Sequence, residues 1–366
     1  MKIGIIDADI IGKKKHRFPN LASMKLSSYH KSNGDNVTLL TSYNNIKNYD
    51  IVYVSKVFTD TPVDEEILSL PNVKYGGTGF FYDRAEPLPY EIEHTMPDYN
   101  LYDEWINKMV EGGARESQFD AYRNYSIGFL TRGCFRQCEF CVNKNQKRCI
   151  PHSNIREFYD PTRKKICFLD DNFFACSDWR TIIQDVKEIG RPFIFKQGLD
   201  ERLLTTDKIK EMLSWKYIGR FIFAFDNIAD YELIENKLKL LRSVTNKPCT
   251  FYVLCGYDYN NKYDNEFWNK DIIDLFRRIE LLGRYGCYPY IMRHENYKMS
   301  PYKGTYMNIA TWCNMPHLYA KMSYWDYCRE KDKLYKNKSS YLRYYEEGLN
   351  IPDIEKYTHK YFFNKP

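Results

Sequence analysis

Three cysteines stand in the segment L-T-R-G-C-F-R-Q-C-E-F-C-V-N at 130–143: Cys134, Cys138 and Cys141, in a C-x3-C-x2-C frame. Close-set thiols in a long chain without an even cysteine framework point to a metal site before a disulfide. Three thiolates are one short of the four that hold an electron-transfer cubane. A 4Fe–4S cluster on three cysteines keeps one iron free for an outside ligand. An open metal position marks chemistry, whereas a closed shell marks structure. Two other readings use the same residues. A structural zinc site would recruit Cys149 or His152 as fourth ligand and contribute ~10–16 kcal/mol to folding. The chain would then be a non-catalytic, metal-stapled binding protein, with RNA as the partner its basic balance suggests. Knuckle-like zinc sites favour paired C-x2-C units, and only Cys138 with Cys141 forms one. Inert thiols in an apolar core are the third reading.

The frame resembles the signature of the radical SAM superfamily. The resemblance implies that the free iron chelates the amino and carboxylate groups of S-adenosylmethionine (SAM). It implies that one electron from the cluster cleaves the sulfonium to a 5′-deoxyadenosyl radical, and that a donor such as flavodoxin or ferredoxin supplies that electron. Phe140 stands where the family has an aromatic beside the adenine. The resemblance covers roughly 126–296, and its specific part is the cysteine segment. No extra cysteines precede Cys134, which argues against a methylthiotransferase. Only Cys313 and Cys328 lie in the C-terminal extension, which argues against a peptide maturase. Methylation or a carbon-centred rearrangement on an unidentified substrate remains.

Residues of this kind need a scaffold that brings strand ends together. From Tyr125 onward six apolar, strand-like runs follow, at 126–130, 165–169, 193–196, 220–225, 250–254 and 288–292. Helical periodicity lies between most of them: Trp179, Ile182, Ile183, Val186 and Ile189 share one face, as do Ile272, Leu275, Ile279 and Leu282. Six β/α units match the partial (β/α)6 barrel of the radical SAM family. In β/α barrels chemistry collects at the carboxyl ends of strands, and polar residues follow each run here. Asp170-Asp171-Asn172 stands where the family has G-G-E, which binds the amino group of SAM; Asp171 or Asn172 is the candidate and Asp170 the alternate. Gln197 and Asp226 are placed to accept from ribose hydroxyls. Gly256 falls in the strip that passes the adenine. Arg202 could pair bidentately with the SAM carboxylate, or form an ordinary surface ion pair.

The first ~115 residues read as a smaller α/β unit. Strands are expected at 2–7, 36–40, 50–54 and 73–76, with helices at 19–33 and 61–70, and such alternation implies a parallel, doubly wound sheet. Three patterns here resemble cobalamin-binding domains: Asp7-Ala8-Asp9-Ile10-Ile11-Gly12 for D-x-H-x-x-G, Ser55-Lys56-Val57 for S-x-L, and Gly76-Gly77 for paired glycines. Asp9 replaces the cobalt-ligating histidine. Either cobalamin binds without a protein axial ligand, or the domain serves another role. Lys13 to Arg17, K-K-K-H-R, reads as a solvated loop, with phosphate binding as the alternative. The segment 82–124 is a bridge rich in Pro, acids and aromatics, with a helix at 101–110.

The expected fold is therefore α/β: a flavodoxin- or Rossmann-like doubly wound parallel sheet at 1–115, a partial (β/α)6 TIM-type barrel at 116–299 and a helical extension at 300–366, with helices at 305–311, 317–331 and 339–349. Bulk properties agree. The chain has 366 residues, long for one core, and 43% apolar content. No apolar run approaches the ~20 residues of a membrane span, and M-K-I-G-I-I-D reads as a strand and not a signal peptide. Eleven cysteines without pairing spacings suggest a reducing, cytoplasmic setting. A net charge of +6 is compatible with anionic partners without demanding nucleic acid.

Overall fold

The structure, a computed structural model, describes residues 1–13, 15–144, 146–335 and 340–364. The protein is a mixed α/β chain of parallel sheets and many helices. It divides into two compact units, Met1–Gln197 and Gly198–Pro366. The division falls inside the run of six β/α units, after the third strand.

The first unit opens with β1 (Lys2–Asp7), β2 (Asn36–Leu39), β3 (Ile51–Ser55) and β4 (Val73–Gly76), all parallel in the order β2-β1-β3-β4. β1 is apolar and buried from Ile3 to Ile6 because both its faces are covered. Ile3 and Ile5 pack with Met24 and Leu26 of the helix Leu21–Ser32, while Ile6 packs with Ile46, Val52, Val54 and Ile67. Asn20 caps that helix as its position suggests, its side chain accepting from Ser23 N–H. The helix expected at 61–70 is reduced to a 3-10 turn at Glu65–Ser69. Thr61 and Pro62 are drawn instead against the first turn of the chain, next to Gly12. Lys14, within the expected basic loop, lies outside the described residues; its neighbour Lys13 pairs with Asp60 at 2.7 Å.

The 82–124 segment is more than a bridge. Ile92, Tyr99, Leu101, Tyr102, Ile106, Phe119 and Tyr122 complete the core on the Ile3–Ile5 face. Its helix runs Asp103–Glu111. Tyr99 also ties this core to the next strand, since its hydroxyl accepts from Ile127 N–H at 2.8 Å and donates to Phe158 O at 2.6 Å. That strand is β5 (Tyr125–Gly128), followed by the two-residue strands β6 (Thr131–Arg132) and β7 (Ile150–Pro151), then β8 (Lys165–Phe168) and β9 (Phe193–Phe195). β5-β8-β9 is a parallel sheet, and β6 pairs antiparallel with β7 as the neck of a hairpin. The helix Trp179–Ile189 buries Trp179, Ile183 and Val186, the face its periodicity indicates.

The second unit holds β10 (Phe221–Ala224), β11 (Cys249–Cys255) and β12 (Tyr288–Arg293), again parallel and in that order. The helices Tyr231–Val244 and Asn265–Arg284 connect them. In the extension, the helix expected at 317–331 is broken into Pro316–Tyr319 and Tyr324–Leu334, because Ser323 caps a new start through Asp326 N–H. The last long helix is Tyr341–Gly348; Ser339, its expected beginning, lies outside the described residues. Trp312, Tyr319, Tyr324, Tyr345 and Phe362 form one buried aromatic packing. Asn314 covers the edge of β12, accepting from Ile291 N–H at 2.6 Å and donating to Ile291 O at 3.1 Å, which satisfies strand groups that an open edge would leave bare. Among the described residues no helix is long and apolar enough to cross a membrane.

Candidate functional site

The cysteine segment is the loop of the β6–β7 hairpin. Its two ends come so close that a side chain on Gly133 would collide with Arg148 O, and Gly133 has φ +98°, so only glycine serves there. Cys134 N–H closes the neck on Gln146 O at 3.1 Å. Inside the loop Cys141 N–H turns back to Cys138 O at 2.9 Å, Gln137 donates to Cys134 O at 2.8 Å, and Lys144 reaches Gln137 O and Cys138 O. These contacts hold the loop together from within.

Three N–H donors point at its sulfurs. Arg136 N–H and the Asn172 amide each lie 3.4 Å from Cys134 Sγ, and Asn143 N–H lies 3.4 Å from Cys141 Sγ. Such donors favour sulfur in its thiolate form, the form that binds metal. Burial pushes the free Cys141 thiol above its usual range, opposed by the Asn143 N–H. Among the described residues no three His, Cys, Asp or Glu side chains are drawn around one metal-sized point. The fit to a metal therefore rests on the donor set. It is three thiols on one short loop, and none of the eleven cysteines is joined in a disulfide.

Both side chains that could serve as a fourth zinc ligand have other contacts. Cys149 hydrogen-bonds Thr131 and Cys176, and burial pushes its thiol up to about 12. His152 contacts Ser153 Oγ at 3.0 Å through Nδ1 and lies 3.6 Å from Glu93 through Nε2, while stacking on His94 at 5.1 Å.

The residues after β8 divide by role. Asp170 is fully buried and turned inward: one oxygen accepts from Thr131 N–H and Thr131 Oγ1, both at 2.7 Å, and the other from Leu130 N–H at 3.2 Å. Burial raises its carboxyl to about 7 against the pull of those donors. It clamps β8 to the start of the hairpin and has no face toward a ligand. Asp171 accepts from Gly133 N–H at 2.8 Å, and Asn172 reaches Cys134, so both lean on the cysteine loop. Phe140 also lies in the loop; its carbonyl accepts from Tyr82 Oη at 2.7 Å. Gln197 follows β9 in an exposed turn.

The remaining candidates belong to the second unit. Asp226 stands two residues past β10 and accepts from Leu254 N–H at 3.0 Å, its carboxyl raised by burial. Gly256, with φ +76°, passes so near Tyr297 that a Cβ would lie 2.9 Å from that residue's own. Arg202 does not offer its guanidinium to a carboxylate from outside. It is engaged by Asp200 at 2.8 Å and Asp230 at 2.9 Å, partners that come from the turn before it and from a segment 28 residues on.

Two residues escape a reading by strand ends alone. Arg278, only 2% exposed, donates from one nitrogen to Phe225 O at 3.1 Å, Asp226 O at 2.9 Å and Leu254 O at 2.7 Å, gathering the ends of β10 and β11. Its signal was its position on the buried face of a helix, four residues past Asp274 and among Leu275, Ile279 and Leu282. Glu201 is buried, accepts from Ala224 N–H at 3.1 Å, and is raised by burial to about 8. It stands in the sequence between Asp200 and Arg202, and nothing local sets it apart from them.

No protein family matches the chain by sequence, and no curated protein matches it either. Among solved structures the chain is similar to two of the cobalamin-dependent S-adenosylmethionine radical enzyme OxsB, one with aqua-cobalamin and S-adenosylmethionine bound and one an apo, SeMet-labelled form. Identity is 14% in both, with TM-scores of 0.35 and 0.36, covering 80% of this chain and 49% of OxsB. The chain thus spans about half the length of that protein. At this distance the likeness leaves fold detail and activity to be argued from the chain's own residues.

Proposed function

We propose that the chain is a radical SAM enzyme in which Cys134, Cys138 and Cys141 hold a 4Fe–4S cluster with one iron open to S-adenosylmethionine. The observation that carries this reading is the composition of the hairpin loop. It offers three thiols with N–H donors at two of them, while Cys149 and His152, the side chains that would complete a zinc tetrahedron, are engaged elsewhere. When bound, such a cluster supplies the electron that cleaves the sulfonium of S-adenosylmethionine. The chain's own residues hold and shape the site. Gly133 allows the neck to close, Asp170 fixes the hairpin to β8, and Asp171 and Asn172 set the loop's position. Asp171 or Asn172 is the group proposed for the amino end of the nucleotide, and Arg202 is left out because it is already paired. The proposal includes an electron donor of the flavodoxin or ferredoxin kind and the domain division 1–115, 116–299 and 300–366.

Anoxic reconstitution with iron and sulfide tests it. The expected result is about four irons per chain with a broad visible absorption that dithionite bleaches. Incubation with S-adenosylmethionine and dithionite should then release 5′-deoxyadenosine, and S-adenosylhomocysteine in addition would indicate methyl transfer. A chain that takes up one zinc, refuses iron and makes neither product is not this enzyme.

A further inference from the structure

An open α/β sheet takes ligands beyond the carboxyl ends of its strands, where the strand order reverses. In the N-terminal sheet, order β2-β1-β3-β4 puts that point between β1 and β3. Asp9 lies just past β1 and Val57 just past β3. The Asp9 carboxylate spans the gap: one oxygen accepts from Val57 N–H at 2.8 Å and the other from the Thr61 hydroxyl. Asp9 is 1% exposed and Thr61 2% exposed, so the span is interior.

The surrounding groups close the rest of the crevice. A Cβ on Gly12 would lie 2.8 Å from Thr61 Cγ2 and 3.0 Å from Pro62 Cδ, so the 56–62 segment rests directly on the first turn of the chain. On the β4 side Gly79 N–H donates to Lys56 O at 2.9 Å, and a Cβ on Gly77 would collide with that same carbonyl. Ser55 accepts from the Asn20 amide at 2.9 Å. Over the outside, Lys13 pairs with Asp60 and covers the Phe58 ring, with His16 edge-on to that ring at 5.5 Å.

We propose that the switch point of this domain is sealed by its own chain, with Asp9 as the anchor that holds the 56–62 segment where a ligand would otherwise enter, so that the domain binds no corrinoid. Each residue that would serve a corrinoid is already in use. Asp9 offers a carboxylate held by two donors where cobalt would require a free imidazole. Ser55 is bonded to Asn20, and the Gly76-Gly77 turn is packed against Lys56. A step that moves a methyl group through cobalt is therefore excluded from the function of this chain. The inference is independent of the cysteine loop and stands or falls apart from it.

The test uses the full chain mixed with equimolar hydroxocobalamin and passed through gel filtration. The corrinoid is expected to elute wholly apart from the protein with its visible spectrum unchanged; stoichiometric co-elution or a shifted spectrum overturns the proposal. A second arm reads the anchor itself by hydrogen exchange. In Asp9→Ala the Val57 amide should exchange at least about tenfold faster than in the wild type, since it loses its acceptor. Thr61→Val, a milder change that keeps the volume, should accelerate exchange across 57–61 in the same direction. Unchanged exchange in these variants would show that Asp9 anchors nothing.

Discussion

The side-chain amide of Asn172 lies 3.4 Å from the sulfur of Cys134, joining the end of β8 to the first cysteine of the hairpin loop across 38 residues of chain. Hydrogen bonds to cluster sulfurs stabilise the reduced state and help set the potential. In reconstituted protein, Asn172→Ala should shift the reduction midpoint to a more negative value and shorten the lifetime of bound iron under a chelator. Both are readable by redox titration and by a bathophenanthroline release assay. A midpoint equal to wild type would mean that the amide does not touch the cluster.

Cys149 separates the three-thiol reading from a four-ligand one. It hydrogen-bonds Thr131 and Cys176, so Cys149→Ala should keep the full iron content after anoxic reconstitution. Cys134→Ala, Cys138→Ala and Cys141→Ala should each bring it to background. Loss of metal in Cys149→Ala, measured by atomic emission, would point to a fourth protein ligand.

Asp7 makes stability depend on pH. It is fully buried, accepts from Tyr102 Oη at 2.8 Å and from Asp9 N–H at 3.1 Å, and faces Asp9, Tyr102 and Tyr122. Burial raises its carboxyl from 3.8 to about 7. A raised carboxyl holds its proton more tightly in the folded chain, so its stabilising effect is complete below the unfolded value and is lost as pH rises through the folded one. Wild-type stability should therefore fall between about pH 4 and pH 7 by up to about 1.4 kcal/mol per pH unit from this group. Tyr102 and Asp9 N–H bond separate oxygens of Asp7, so Asp7→Asn keeps an acceptor for one of them only, and it cannot ionise. Urea midpoints from pH 5 to pH 8 should show a flatter profile for the variant.

Arg278 holds three carbonyls at the ends of β10 and β11 from a position 2% exposed. Replacing it by Met leaves those acceptors buried without their donor, which should cost about 3–5 kcal/mol. Arg278→Lys should recover only part of this, because an ammonium cannot copy the planar fork. Chemical denaturation of both variants gives the comparison directly.

The sequence by itself determined the cysteine frame, the strand runs and most helix starts. These are local matters. Thiol spacing along 14 residues, apolar continuity in β1 and an Asn at position 20 act within a turn or a strand of themselves, so neighbours along the chain are enough to read them. What Asp9, Asp170, Arg202 and Cys149 do was decided only by the tertiary structure. Each is a polar group whose meaning lies in its partner, and nearly all the partners are far along the chain: Asp9 finds Val57 at a separation of 48 residues, Asp170 finds Thr131 at 39 and Arg202 finds Asp230 at 28. A carboxylate that follows a strand looks the same in sequence whether it faces a ligand or closes a crevice. Burial costs a polar group its water, so folding must give it a partner, and only the packed chain shows which one.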